Sequence, residues 1–152
     1  MKLNEKQLAM VDAQIKRLIK TDSYYGKMYR DAGIDGVSSQ EDFEKLPFSS
    51  KADLRYAYPL GIQAVPDEEV VRIHSSSGTT GNPVIIPYTA KDVDDWSLMI
   101  ARCYEMAGIT DKDRIQITAG YGLWTAGIGF QAGCETVSYT HLRAHETSLH
   151  LV

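Results

Sequence analysis

The sequence predicts an α/β organisation, α+β at its N-terminus, on three observations. Its front carries apolar residues at helical spacing with charges on the other face. Two short β-branched runs, Val70-Val71-Arg72-Ile73 and Val84-Ile85-Ile86-Pro87-Tyr88, then flank a glycine-containing turn. A long amphipathic stretch and a further strand-like run follow, giving the order helical front, strand, loop, strand, helix, strand.

From Asn4 to about Lys20, Leu8, Val11, Ile15, Leu18 and Ile19 form one apolar stripe opposite charged residues. A second helix is predicted from Ser23 to Ala32, stopped at Gly33, which suits a left-handed cap. Ser38 or Ser39 caps a short helix through Phe43, and Leu46-Pro47 ends it. Ser49 or Ser50 caps another from Lys51, with Asp53 in the first turn where a carboxylate complements the helix dipole, and Tyr58-Pro59 closes it. Thr89 caps a long helix to about Ala107, with Val93, Trp96, Ile100, Cys103, Tyr104 and Ala107 on its apolar side and Gly108 as its stop. Asp113 to Thr118 reads as a strand, and the stretch from Gly120 to Gly133 as glycine-rich with an aromatic pair, Tyr121 and Trp124. No internal repeat is present.

Composition narrows the function classes. The chain has 152 residues, 43% hydrophobic and 24% charged, with a formal net charge of -4, which is ordinary for one globular core. Mild acidity and the lack of a basic face argue against nucleic acid as a partner. Cys103 and Cys134 fit neither a disulfide framework nor a zinc site, so a reducing cytoplasm is the expected setting. No apolar run is long enough to span a membrane, and MKLNEKQLAM has no apolar signal core.

The end of the chain reads differently. Val137 to Thr147, VSYTHLRAHET, has His141 and His145 at i, i+4 spacing followed by Glu146, and His150 lies beyond. Metal binding or an amphipathic terminal helix would each explain this. A third explanation is stronger: the segment is the in-frame translation of a common transposase sequencing adapter. Residues 137–152 are therefore expected to be an adapter-derived tail rather than native structure, and no metal site is assigned.

The chemistry-bearing segment is RIHSSSGTTGNPVII, Arg72 to Ile86. It lacks the lysine of a Walker A loop and the glycine spacing of a dinucleotide fingerprint. Its glycines permit close backbone approach and its hydroxyls are donors, which suits phosphate oxygens. The same residues also favour a plain hairpin turn, and composition leaves both readings open. His74, beside the loop, either orients a substrate or nucleotide or is a strand-end histidine satisfied by backbone.

Ser76-Ser77-Gly78-Thr79-Thr80-Gly81-Asn82-Pro83 resembles the phosphate-holding loop of the adenylate-forming superfamily of acyl-CoA synthetases. The wider context resembles the phenylacetate–CoA ligase branch. Leu46-Pro47-Phe48-Ser49-Ser50-Lys51-Ala52-Asp53-Leu54-Arg55 is similar to that family's "LPF-T/S-K-DLR" segment, and Gly120-Tyr121-Gly122-Leu123-Trp124-Thr125 to its "GYGLFTGG" stretch. Tyr58-Pro59-Leu60-Gly61 and Val70 to His74 precede the loop at the family's spacing, and Tyr88-Thr89 and Trp96 follow it. The similarity runs from about Tyr24 to Glu135. Most of the superfamily carries lysine after the loop's proline; Val84 here agrees with the phenylacetate–CoA ligase branch.

The resemblance implies residues 1–136 to be the truncated start of the large N-terminal AMP-binding domain. It implies a carboxylate attacking the α-phosphate of ATP with Mg2+, then coenzyme A displacing AMP from the acyl-adenylate. Ser76, Ser77, Thr79 and Thr80 would bond phosphate oxygens, with Gly78 and Gly81 shaping the loop. Tyr121, Trp124 and Ala119 would line an aryl-acid pocket, the other reading of the two aromatics being ordinary core packing. Relatives carry an aromatic residue where this chain has Ala119 and Phe where it has Trp124, so a related aryl or indolyl acid fits the chemistry as well as phenylacetate. The catalytic lysine is expected beyond the chain's end, leaving the chain inactive alone, and the longer protein is expected to be a homodimer. Two alternatives remain: an adenylyltransferase-type relative acting on a cofactor, and a stand-alone nucleotide-binding module.

Overall fold

The computed structural model describes residues 2–79 and 81–137. Thr80, His141, His145, Glu146, His150 and all of the expected adapter tail after Val137 lie outside the described residues. Two compact units divide the chain: residues 1–68 with 78–86, and residues 69–77 with 87–152.

The first unit is helical. Helix α1 (Glu5–Leu18) starts where Asn4 and Gln7 cap each other reciprocally, the Asn4 side chain accepting the Gln7 amide at 2.9 Å and the Gln7 side chain the Asn4 amide at 3.0 Å. Helix α2 (Tyr24–Asp31) is capped by Ser23, and the chain leaves it through Gly33 at φ 68. Between them the turn is close-packed, since a Cβ on Gly26 would collide with the carbonyl oxygens of Leu18 and Thr21. Helix α3 (Gln40–Glu44) begins at Ser39. In helix α4 (Lys51–Tyr56) the Ser50 amide and hydroxyl both donate to the Asp53 carboxylate at 2.7 Å. Ile15, Val37 and Ala57 are buried. Asp12 on α1 accepts the Val37 amide at 2.9 Å and the Lys16 ammonium at 2.8 Å; first Lys16 and then that amide hold its carboxyl below the usual range.

In the second unit, strand β1 (Val70–Ser75) belongs to a two-stranded sheet with β2 (Ile85–Thr89), whose residues 87–89 lie in this unit. Thr89 ends β2 and caps helix α5 (Ala90–Met106): its amide donates to Asp92 at 2.9 Å while its hydroxyl oxygen accepts the Asp92 amide at 3.2 Å. Gly108 follows at φ 81. Helix α6 (Ala126–Val137) packs on α5, with Gly129 against the Trp96 ring and Gly133 against Ile100. Among the described residues no helix is long and apolar enough to cross a membrane.

Three sequence expectations need correction here. Asp113 to Thr118 is not a strand. It keeps the period-2 pattern, with Ile115 and Ile117 half-buried and Arg114, Gln116 and Thr118 exposed, but a strand is defined by its ladder and no described strand pairs with it. The apolar side of α5 is also narrower than expected. Cys103 and Ala107 are exposed and Ala101 is buried instead, because α6 covers the line through Trp96 and Ile100. The third is an omission: α6 occupies much of the stretch read only as glycine-rich. Glycine disfavours a helix by about 1 kcal/mol relative to alanine, and close packing against α5 overrides that preference.

Tyr104 links the two helices, donating from its hydroxyl to the Phe130 carbonyl at 3.3 Å. Burial, and then the neighbouring Cys134 sulfur, push its phenol well above the ordinary value of 10.0. A raised pKa means that the folded state holds the proton more tightly than the unfolded state. The corresponding stability is full below pH 10.0 and is lost as pH rises through the folded-state value. In an alkaline titration the Tyr104 tyrosinate signal should therefore appear together with loss of helical circular dichroism. Ionisation near pH 10.0 with the helices intact would show that the phenol is not held between them.

Candidate functional site

Strand β1 carries the residues that lead into the loop. Within it Val71 and Ile73 are exposed while His74 is only 2% exposed, so the pleat turns the imidazole inward. Its Nδ1 lies 3.0 Å from the Leu123 carbonyl oxygen. A carbonyl only accepts, so Nδ1 carries a proton. The Ser75 amide donates to the same oxygen at 2.7 Å. The imidazole stands edge-on to Tyr88 and Trp96, with ring centroids 5.5 and 5.4 Å away, and those two rings stack on each other at 5.4 Å. His74 Nε2 is buried with no hydrogen-bond partner among the described residues. Of the two readings of His74, the backbone-bonded strand-end residue describes Nδ1.

After Ser75, whose hydroxyl donates to the Ser76 carbonyl at 2.8 Å, Ser76 is half-buried and Ser77 exposed. Gly78 has φ 67 and Gly81 φ 127, values that residues with a Cβ rarely adopt. A Cβ on Gly81 would meet nothing within 4 Å, so conformation rather than space demands glycine there. The Gly81 amide donates to the Gly78 carbonyl at 3.2 Å and closes the turn. The hydroxyls of Ser77 and Thr79 have no hydrogen-bond partner among the described residues, and both residues are exposed. Chemically this is a turn with bare donors and a backbone open to close approach, which fits an oxyanion-rich ligand.

The three expected pocket residues lie within the one stretch 119–124. Tyr121 lines a hollow of about 290 Å³ together with Arg72, Ile128, Gln131, Ala132 and Glu135. Trp124 is 59% exposed, and neither it nor Ala119 is among the residues lining that hollow. Arg72 was not singled out from sequence. It also borders a second hollow, of about 430 Å³, and its Nη1 is buried without a partner among the described residues. Only its place two residues before His74 could have drawn notice. No cluster of three or more His, Cys, Asp or Glu able to hold a metal occurs among the described residues.

No protein-family model matches the chain. Curated proteins do. Over 140 residues the chain is 39% identical to "Phenylacetate-coenzyme A ligase" of Pseudomonas putida, covering 91% of the chain and 32% of that protein. It is 41% identical over 128 residues to the Escherichia coli (strain K12) protein of the same name, covering 83% of the chain and 29% of the relative. A crystal structure of 2-hydroxyisobutyryl-CoA ligase in the postadenylation state with 2-HIB-AMP superposes with a TM-score of 0.75 at 25% identity, over 88% of this chain and 29% of that one. The same enzyme with 2-HIB-AMP and CoA in the thioesterification state gives a TM-score of 0.75 at 28% identity, over 86% of this chain and 29% of that one. The chain thus spans about a third of the length of the curated relatives it matches. It is homologous to one part of the phenylacetate-coenzyme A ligases, and its fold is that of the matching part of an adenylate-forming CoA ligase.

Proposed function

We propose that this chain is part of an ATP-dependent aryl-acid–CoA ligase, with phenylacetate or a related aryl or indolyl acid as substrate. The observation that carries the reading is the coincidence of 39% identity to phenylacetate-coenzyme A ligase with a two-glycine turn whose Ser77 and Thr79 hydroxyls are exposed and unpartnered among the described residues. Residues 1–136 then form the start of the adenylation domain, and 137–152 are not native sequence. In the first step an acid oxygen bonds to the α-phosphorus of ATP and pyrophosphate leaves. In the second the CoA thiol bonds to the acyl carbon and AMP leaves.

What this chain contributes is donors. Ser76, Ser77, Thr79 and Thr80 would hydrogen-bond phosphate oxygens, and the backbone opened by Gly78 and Gly81 would lie against them, stabilising charge as it moves toward the leaving pyrophosphate. Mg2+ as the partner of ATP, a cytoplasmic setting and a homodimeric assembly belong to the same proposal. The test is ATP–pyrophosphate exchange, measured on a reading frame that carries this sequence through the length of its relatives. Exchange that depends on an aryl acid supports the reading, and exchange indifferent to the acid sinks it. Omitting CoA and following AMP release separates a ligase from an adenylyltransferase.

A second expectation concerns acid selection. Trp124 is largely exposed, so replacing it with alanine should leave the melting temperature nearly unchanged. Trp124→Ala should raise the KM for the aryl acid severalfold and leave the KM for ATP alone. An unchanged KM for the acid would remove Trp124 from the pocket.

A further inference from the structure

Two donors meet on one oxygen. The Leu123 carbonyl accepts from the Ser75 amide at 2.7 Å and from His74 Nδ1 at 3.0 Å, filling both lone pairs of a single peptide group. The donors sit on β1, in the two residues that immediately precede Ser76 and Ser77. The acceptor sits in the stretch between Tyr121 and Trp124, which has no helix or strand of its own. Of the two flanking glycines, Gly120 lies close against Gly127, where a Cβ would come within 2.8 Å of the Gly120 carbonyl oxygen, whereas Gly122 has nothing within 4 Å of a built Cβ. All of these residues, Ser76 and Ser77 included, belong to the second unit.

The imidazole is held for this task. Tyr88 and Trp96 present their rings to it nearly at right angles, with interplanar angles of 82° and 80°. Its burial keeps water from competing for the Leu123 oxygen. A phenylalanine would fill the same aromatic enclosure, so packing alone does not call for histidine; the Nδ1 proton does.

We propose that His74 is a positioning residue: with the Ser75 amide it fastens the 120–125 stretch to the base of the Ser76–Ser77 loop, so that nucleotide phosphate at the loop is felt at Trp124. The proposal rests on the phosphate reading of that loop, and adds to it a mechanical coupling between the nucleotide and acid sites. Loss of the Nδ1 donor leaves one bond on the Leu123 oxygen where there were two, and the stretch from the open Gly122 onward gains freedom to detach.

The coupling can be read on the 152-residue chain by nuclear magnetic resonance, with MgATP as the probe. The Ser77 amide reports the loop and the Trp124 indole N–H reports the tethered stretch. In the wild type both signals should move with the same midpoint. In His74→Phe, which keeps the ring and removes the donor, Ser77 should still respond while the Trp124 response falls by about threefold or more, the scale of one neutral hydrogen bond. His74→Asn places a side-chain amide N–H close to where Nδ1 was and should restore the Trp124 response. A merely structural role would lower the melting temperature of both variants and would not separate the two signals. Equal Trp124 responses in wild type and His74→Phe overturn the coupling. So does a wild type in which Ser77 moves and Trp124 does not. A wild type in which Ser77 itself ignores MgATP overturns the phosphate reading and the coupling together.

Discussion

Gly133→Ala is expected to destabilise the α5–α6 pairing by about 1–3 kcal/mol, the usual cost of overpacking a close contact. The sign is not obvious in advance, because alanine in a helix gains about 1 kcal/mol over glycine. What decides it is the neighbour. A Cβ at position 133 would collide with Cγ2 of Ile100, lie 2.7 Å from its Cβ and 3.2 Å from its backbone carbon. The last two of these atoms cannot swing away without moving α5 itself. Gly129→Ala meets the indole of Trp96, with Cε2 at 2.9 Å, and displacing that ring disturbs its stack on Tyr88 and its contact with His74. For a chain of this length each kcal/mol corresponds to about 2–4 °C in melting temperature. Gly122→Ala, whose Cβ meets nothing, serves as the control. Melting of Gly133→Ala at or above the control would show that α5 and α6 do not approach as closely as described.

Ser77→Ala and Thr79→Ala, placed in a reading frame of the relatives' length, should each lower aryl-acid-dependent ATP–pyrophosphate exchange about tenfold or more, the worth of one or two hydrogen bonds to charged oxygens. Both side chains are exposed and unpartnered among the described residues, so their removal costs the fold little. That separation makes the measurement informative, since a fall in rate without a fall in melting temperature assigns the hydroxyls to the ligand. Thr80→Ala carries the same expectation from sequence. Wild-type rates in all three variants would return the segment to an ordinary turn.

Much of the helical framework was legible because its signals are local. Ser23, Ser39, Ser50 and Thr89 each cap the helix that follows, and each begins within the run of residues that encodes it. The turn was legible for the same reason: Gly78 and Gly81 both adopt positive φ, as their place between two strands suggested. Features that depend on distant partners were not. Ile115 and Ile117 alternate like a strand, yet alternation says nothing about whether another strand lies alongside. Gly129 and Gly133 argue against a helix until Trp96 and Ile100 are laid over them. His74 could be assigned to the end of β1, but its partner is 49 residues away and is a backbone oxygen, which no side-chain pattern announces. Arg72 went unnoticed because a single arginine in a strand is unremarkable until its surroundings are known.

The shared oxygen of Leu123 has a consequence for variation. Every residue presents much the same carbonyl, so an anchor made there is blind to the side chain beside it. The Leu123 side chain is itself 62% exposed. Substitutions at 121, 123 and 124 can therefore reshape the exposed surface of the stretch while the main chain stays moored by His74 and Ser75. If that surface meets the acid as proposed, selectivity and attachment are recorded on different atoms of the same few residues, and one aromatic side chain can replace another without loosening the mooring.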